Sequence, residues 1–224
     1  MSTDKSAHYL GQKGEEYFAY QHQGGLLRGR LNARTKFARF VRPEHAVLDF
    51  GCGGGTLLAS LTCARKLGVE INPVARAEAK SNGIEVYESL ELVPDGVVDL
   101  AVSNHALEHV FSPLEALRAL RPKLKPGGQL VLVVPIDDWR AQPDFDASDI
   151  DHHLYTWTPR LLGNLLAEAG YRVKDISVLT HAWFPRWEHW IGRLPTGVFD
   201  AVCWAYSAWV RRRQLLAVAT PNGT

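Results

Sequence analysis

From Ala46 to Lys66 the chain reads AVLDFGCGGGTLLASLTCARK. Ala46, Val47 and Leu48 run into Asp49 as a short apolar stretch, the pattern of a strand buried on both faces. Gly51, Gly53, Gly54 and Gly55 then interrupt any regular structure, and from Thr56 to Lys66 the apolar residues return at helical spacing. A strand, a glycine turn and a helix in that order open a βαβ unit.

The same beat continues outward. Leu67 to Ile71 is a second strand, Asn72-Pro73 starts a helix that Gly83 ends, and Ile84 to Tyr87 is a third strand. Val97 to Ser103 reads as a fourth strand and Pro113 to Leu124 as a helix, after which the turn Pro126-Gly127-Gly128 launches Gln129 to Val134. Behind Thr158, Pro159 takes a first helical position, residues 160–169 follow as helix, Gly170 caps them, and Tyr171 to Val178 is a strand. Gln214 to Ala219 is the candidate closing strand. This alternation predicts an α/β fold, a doubly wound, mostly parallel sheet with helices on both faces and a ligand at the carboxyl ends of its strands.

Two stretches stand outside the beat. Residues 15–41 read as two helices broken at Gly24-Gly25, an N-terminal helical lid. Residues 181–213, a helical insert before the last strand, hold Trp183, Trp187, Trp190, Trp204 and Trp209, five of the seven tryptophans. The expected division is an N-terminal helical segment, 1–45, and one ligand-binding domain, 46–224.

Composition narrows the classes. At 224 residues a single core removes roughly 70% of the unfolded surface from water, so no disulfide or metal is required for stability. A formal charge of +1 offers no global field for nucleic acid. The three cysteines lack a CxxC spacing, which speaks against a disulfide framework or structural zinc and for a reducing cytoplasm. Residues 1–20 are broken by charges, so no signal-peptide core is expected. The nearly uncharged stretch 194–210 carries Asp200 at its middle and is short of the ~20 apolar residues of a bilayer span.

Glycines at alternate positions let a ligand reach bare main chain, and Glu70 follows Asp49 by 21 positions, the distance at which a carboxylate in such a unit accepts from ribose hydroxyls. The rival enzyme reading, a nicotinamide oxidoreductase or epimerase, is opposed by Thr56, which stands where the dinucleotide fingerprint requires Gly or Ala, and by the one Tyr-x-x-x-Lys spacing, Tyr9 to Lys13, which precedes the loop. A cofactor-holding scaffold without turnover is the rival outside enzymology.

Val47-Leu48-Asp49-Phe50-Gly51-Cys52-Gly53-Gly54-Gly55, Val69-Glu70-Ile71-Asn72-Pro73, Val98-Asp99-Leu100-Ala101-Val102-Ser103-Asn104 and Leu124-Lys125-Pro126-Gly127-Gly128 resemble, in order and spacing, four motifs of the class I S-adenosylmethionine-dependent methyltransferases. The resemblance covers about 46–180 and implies a seven-stranded sheet whose antiparallel last strand is 214–219. It implies that Gly51, Cys52, Gly53 and Gly55 pass under the methionine and ribose, with Asp49 steadying the loop or the ammonium group. Glu70 and Ile71 would hold the ribose, Glu88 and Ser89 would meet adenine, and Asn104 and His105 would sit where methyl donor and acceptor meet. S-adenosylhomocysteine would be the product.

His105-Ala106-Leu107-Glu108-His109 also matches the HxxEH of inverted zinc peptidases, but it opens directly after a strand rather than inside a helix, so no metal ligand is assigned. Asp137-Asp138 and Asp149-Ile150-Asp151-His152-His153 belong to the ligand edge, where such groups would cap loops, hold a divalent ion or take a proton. The candidate bases are His105, His152 and His153. The chain is similar overall to methyltransferases of cell-surface polysaccharide pathways, which implies O-methylation of a small molecule or saccharide. In the tail, Val198, Phe199, Val202, Tyr206, Trp209 and Val210 recur at helical spacing before Arg211-Arg212-Arg213, with Arg186 and Arg193 nearby. Such a segment would pack on the fold, pair two copies, or meet anionic lipid through 196–213.

Overall fold

A computed structural model of the chain describes residues 7–21, 25–136, 144–182 and 187–223. Asp137, Asp138, Trp183 and Arg186, singled out above, lie outside the described residues, as does Gly24. The seven strands are β1 (Ala46–Phe50), β2 (Arg65–Val69), β3 (Glu85–Tyr87), β4 (Val98–Asn104), β5 (Leu124–Pro135), β6 (Tyr171–Leu179) and β7 (Gln214–Pro221). They form one sheet in the order β3-β2-β1-β4-β5-β7-β6, parallel except that β7 runs antiparallel to both its neighbours. The helices are α1 (Gly11–Gln21), α2 (Gly25–Asn32), α3 (Thr56–Ala59), α4 (Pro73–Ser81), α5 (Pro113–Leu120), α6 (Pro159–Glu168), α7 (Glu188–Ile191) and α8 (Thr196–Val210). The sheet is a doubly wound, Rossmann-like one, and its strand order reverses between β1 and β4, where such sheets open a crevice.

Two core layers sandwich the sheet. On one side Leu48, Leu67, Leu130 and Leu132 meet Leu117, Leu162 and Leu166; on the other Val47, Val102 and Val131 meet Leu57, Leu58 and Ala79. Ala33 and Phe37, from the segment before β1, are buried in the second layer. Local chemistry sets the ends of several helices. Asn72 caps α4 by accepting from the backbone N–H of Val74 at 3.0 Å, with Pro73 behind it, and Thr158 caps α6 through the Leu161 N–H at 3.2 Å, with Pro159 at its start.

Several expected spans differ, among them the helix expected from Pro113 to Leu124, which ends at Leu120. The helix expected over Thr56 to Lys66 stops at Ala59, because Ser60 Oγ donates to the Thr56 carbonyl and the Ser60 and Leu61 N–H groups bond three residues back, tightening the turn until it ends. β2 accordingly starts at Arg65, and Glu70 falls just beyond its end. β5 begins at Leu124 rather than Gln129. Pairing jumps from Val98–Leu124 to Leu100–Gln129, so the expected Pro-Gly-Gly turn is a bulge carried within the strand, with Gly127 at φ 81°. In α8 the buried residues are Phe199, Cys203 and Ser207, not the stripe expected from Val198 to Val210, and they pack on Leu31 and Ile191.

Candidate functional site

A cavity of about 360 Å³ lies over the carboxyl ends of β1, β2 and β4, with α1 and α2 as its other wall. Its floor is the glycine loop. Gly51, Gly53 and Gly55 all hold positive φ, 76°, 52° and 74°, a region that glycine enters without a Cβ penalty. Their surroundings separate their roles. A Cβ on Gly51 would collide with Ala106, and one on Gly55 would come within 2.7 Å of Ile84, whereas a Cβ on Gly53 would meet nothing within 4 Å. Gly53 is the open position; Gly51 is needed for close packing. Gly55, expected under the cofactor, packs against α4 instead, and Gly54 and Thr56 line the cavity in its place.

Glu70 is bound into this floor. Its Oε2 accepts from the Gly53 N–H at 2.9 Å and its Oε1 from the Asn72 N–H at 2.8 Å. Burial raises its carboxyl above the usual range, and these backbone donors work against that rise. With Ile71 N–H as a third donor, the carboxylate's four lone pairs leave one accepting position for a ligand. Asp49 is buried at the end of β1, where burial first, and the Glu70 charge second, push its carboxyl from 3.8 up to about 8. Its Oδ1 has no hydrogen-bond partner among the described residues. A buried carboxylate oxygen left bare is costly and suits a cationic ligand group. Cys52 and Ile71 line the cavity, but Glu88 and Ser89 do not. Glu88 instead faces the Arg76 guanidinium at 3.5 Å, and Arg76 donates to the carbonyls of Glu70 and Ile71.

The opposite end is built from β4 and the turn behind it. Asn104 lines the cavity and accepts from Lys36 Nζ at 2.8 Å. That lysine is buried, and desolvation lowers its ammonium from 10.5 to about 7 despite the Glu108 charge. His105, at φ 54°, has both ring nitrogens facing acceptors: Nδ1 is 2.9 Å from Glu108 Oε1, and Nε2 is 2.9 Å from Gln214 Oε1. The Gln214 amide N–H donates to the His181 carbonyl, which turns its oxygen toward His105. His105 Nε2 therefore donates, Nδ1 is tied to a carboxyl, and no lone pair is left for a substrate proton.

His109 is arranged differently. The Tyr9 oxygen lies 2.7 Å from His109 Nδ1 and 3.1 and 3.2 Å from the carbonyls of Asp151 and His152, and its one proton serves either a carbonyl or the imidazole. With the Tyr9 proton on a carbonyl, Nδ1 of His109 donates and Nε2 carries the lone pair. Burial, the largest influence, lowers the His109 imidazole below its ordinary value, and the Glu108 charge partly offsets this. His109 lines the cavity with Tyr9 and Tyr17. His152 and His153, the other two expected bases, are not in the lining. His152 is exposed, at φ 50°, and stacks on His8 with ring centroids 4.5 Å apart; His153 stands edge-on to His109 at 4.9 Å. Among the described residues, Glu108, His109 and His153 bring ligand atoms within 4.8 Å of one another, and Glu108 Oε2 is buried without a hydrogen-bond partner.

The sequence pattern of a methyltransferase domain matches residues 18–176. The chain belongs to that methyltransferase family. S-adenosylmethionine is the cofactor of this domain, and the floor fits it: Gly53 gives open main chain, Glu70 an accepting carboxyl for hydroxyls, and Asp49 Oδ1 an unpartnered buried carboxyl oxygen whose ionised form an ammonium group would favour. The chain is 36% identical over 107 residues to a ubiquinone biosynthesis O-methyltransferase of Xanthomonas campestris pv. campestris, an alignment covering 42% of this chain and 45% of that one. It is 32% identical over 125 residues to an uncharacterized 37.1 kDa protein in transposon TN4556 of Streptomyces fradiae, covering 50% and 34%. The chain thus spans less than half the length of these two relatives. Among solved structures, the putative methyltransferase in complex with the Trm112 activator of Haloferax volcanii superposes with a TM-score of 0.68 at 16% identity, over 100% of both chains. A methyltransferase of Archaeoglobus fulgidus gives 0.62 at 18% identity, over 91% and 98%. At such identities these two likenesses concern the methyltransferase fold.

His109, Tyr9 and Gln214 were missed by the sequence reading. His109 follows the end of β4 by five residues, a weak signal, whereas nothing local announces that Tyr9 lies against a side chain 100 positions away.

Proposed function

We propose that the protein transfers the methyl group of S-adenosylmethionine to an oxygen of a small-molecule or saccharide acceptor, leaving S-adenosylhomocysteine. The carrying observation is one cavity with a carboxylate and glycine floor at one end and the half-buried His109 imidazole, held by Tyr9, at the other. The relative named for ubiquinone biosynthesis O-methylation supports oxygen as the reacting atom. Gly51, Cys52 and Gly53 border the methionine and ribose, Asp49 faces the ammonium group, and Glu70 and Ile71 hold the ribose side. Asn104 and His105 mark the turn toward the acceptor. As the acceptor oxygen attacks the methyl carbon, His109 Nε2 takes the hydroxyl proton, and the Tyr9 oxygen, 2.7 Å from Nδ1, holds the ring in place. Holding acceptor and donor in line supplies most of the acceleration, and a base near neutrality adds about 10²–10⁴-fold.

A second reading follows from the bare Glu108 oxygen: Glu108, His109 and His153 hold a divalent ion that lowers the acceptor's own pKa. Product formation is assayed by mass spectrometry with a phenolic and saccharide acceptor panel. The expected outcome is turnover that survives chelation and falls about 10²-fold or more in His109→Gln, with unchanged binding of S-adenosylhomocysteine. Turnover abolished by chelator and restored by metal favours the ion, and full activity of His109→Gln removes the base assignment.

A further inference from the structure

α8 is buried along Phe199, Cys203 and Ser207, and at 3.6 residues per turn its opposite face consists of Ala201, Ala205 and Ala208, flanked by Val198, Trp204 and Trp209. All six of these are exposed, the indoles of Trp204 and Trp209 by 60% and 77%. The helix has one charged residue, Asp200, and that carboxylate sits off this face against His181 at 3.4 Å. An exposed helix face with no charge and two bare tryptophans is an interaction surface, since isolated surface side chains are ordinary but a continuous apolar strip is not. Trp187 and Trp190, likewise exposed, stand before the amino end of α8, where the Arg193 guanidinium lies 5.8 Å from the Trp190 ring.

The charges at its ends say what covers it. Arg193 precedes the helix, and Arg211, Arg212 and Arg213, all exposed, follow it. Arg211 is the C-terminal residue in left-handed conformation, φ 56°, a place where glycine is free of strain and arginine is not. A second copy laid antiparallel on this face would bring the arginines at one end against the arginine at the other, like against like. A flat anionic surface meets the apolar middle and both basic ends together, and tryptophan prefers such an interface because its ring is apolar and its N–H polar. No helix among the described residues is long and apolar enough to cross a membrane, so contact is along the surface. Ile191 and Phe199 pack on Leu31 of α2, the helix that contributes Gly25, Arg28 and Gly29 to the cavity wall.

We propose that the α7–α8 insert docks the protein on an anionic lipid bilayer, with Trp204, Trp209 and the apolar face of α8 seated in the headgroup layer and Arg193, Arg211 and Arg212 on its phosphates. Resting on the methyl-transfer reading, this places the α2 wall of the cavity beside an acceptor presented at the membrane. The full chain is sedimented with vesicles of phosphatidylcholine alone and of phosphatidylcholine mixed with phosphatidylglycerol. It pellets with the mixed vesicles, and binding is roughly tenfold or more weaker to phosphatidylcholine alone or in high salt. Trp204→Ser with Trp209→Ser lowers binding by a similar factor without changing the circular dichroism, and Arg211→Glu with Arg212→Glu removes the preference for anionic lipid. A parent protein that stays in the supernatant, or variants that pellet as it does, overturn the proposal. So does a lipid-free dimer that dissociates on Trp204→Ser, which gives the face to a second copy. Calorimetric heat for S-adenosylmethionine is read on the same samples: its absence beside intact vesicle binding defeats the methyl-transfer reading alone.

Discussion

Glu70 holds the loop and lines the cavity with the same carboxylate, so its replacement acts twice. Glu70→Ala frees the Gly53 and Asn72 N–H groups and removes the acceptor for hydroxyls, and S-adenosylhomocysteine affinity measured by calorimetry falls by about 30- to 100-fold, on the order of 2–3 kcal/mol. Glu70→Gln keeps one acceptor oxygen and loses less. The sequence offers His105, His152 and His153 as bases and not His109, because it shows that an imidazole is present but not which nitrogen is occupied. His105 is spent on Glu108 and Gln214, while His109 offers Nε2 as a base in the tautomer in which Tyr9 gives its proton to a carbonyl.

At the scale of the element, the glycine loop divides into packing and approach. Gly51→Ala drives a Cβ into Ala106 at positive φ, so thermal unfolding shows a loss of about 2 kcal/mol or more. Gly53→Ala has open space, so its destabilisation is limited to about 1 kcal/mol of left-handed strain while cofactor affinity falls further, the ratio of the two losses separating the roles. The bulge in β5 carries a comparable lesson: Pro126-Gly127-Gly128 signals a chain reversal by local chemistry, yet pairing of Leu124 with Val98 draws the residues before it into the sheet.

At the scale of the whole molecule, two buried groups shape stability against pH in opposite directions. Asp49 titrates near 3.8 when unfolded and about 8 when folded. Between these values the native state keeps a proton that the unfolded chain has released, so its contribution falls as pH rises and stays low above about 8. Lys36 titrates near 10.5 unfolded and about 7 folded; in that window the unfolded chain holds the extra proton, so stability rises with pH. Urea unfolding of the cofactor-free protein at stepped pH therefore shows Asp49→Asn gaining on the parent from mildly acidic pH to about 8 and then keeping its lead. The advantage of Lys36→Met is full below about 7 and shrinks toward 10.5. Asp49→Asn also binds S-adenosylmethionine more weakly, a gain in stability set against function. The sequence by itself determined the α/β alternation, the order of loop and carboxylate from Asp49 to Glu70, and the helix starts at Asn72 and Thr158, because those signals act over a few residues. Only the tertiary structure decided which glycine has open space beside it, that Glu88 pairs with Arg76, that His109 rather than His152 meets the cavity, and which face of α8 is bare. Each of these depends on a partner distant in the chain, and a distant contact leaves no periodicity to read.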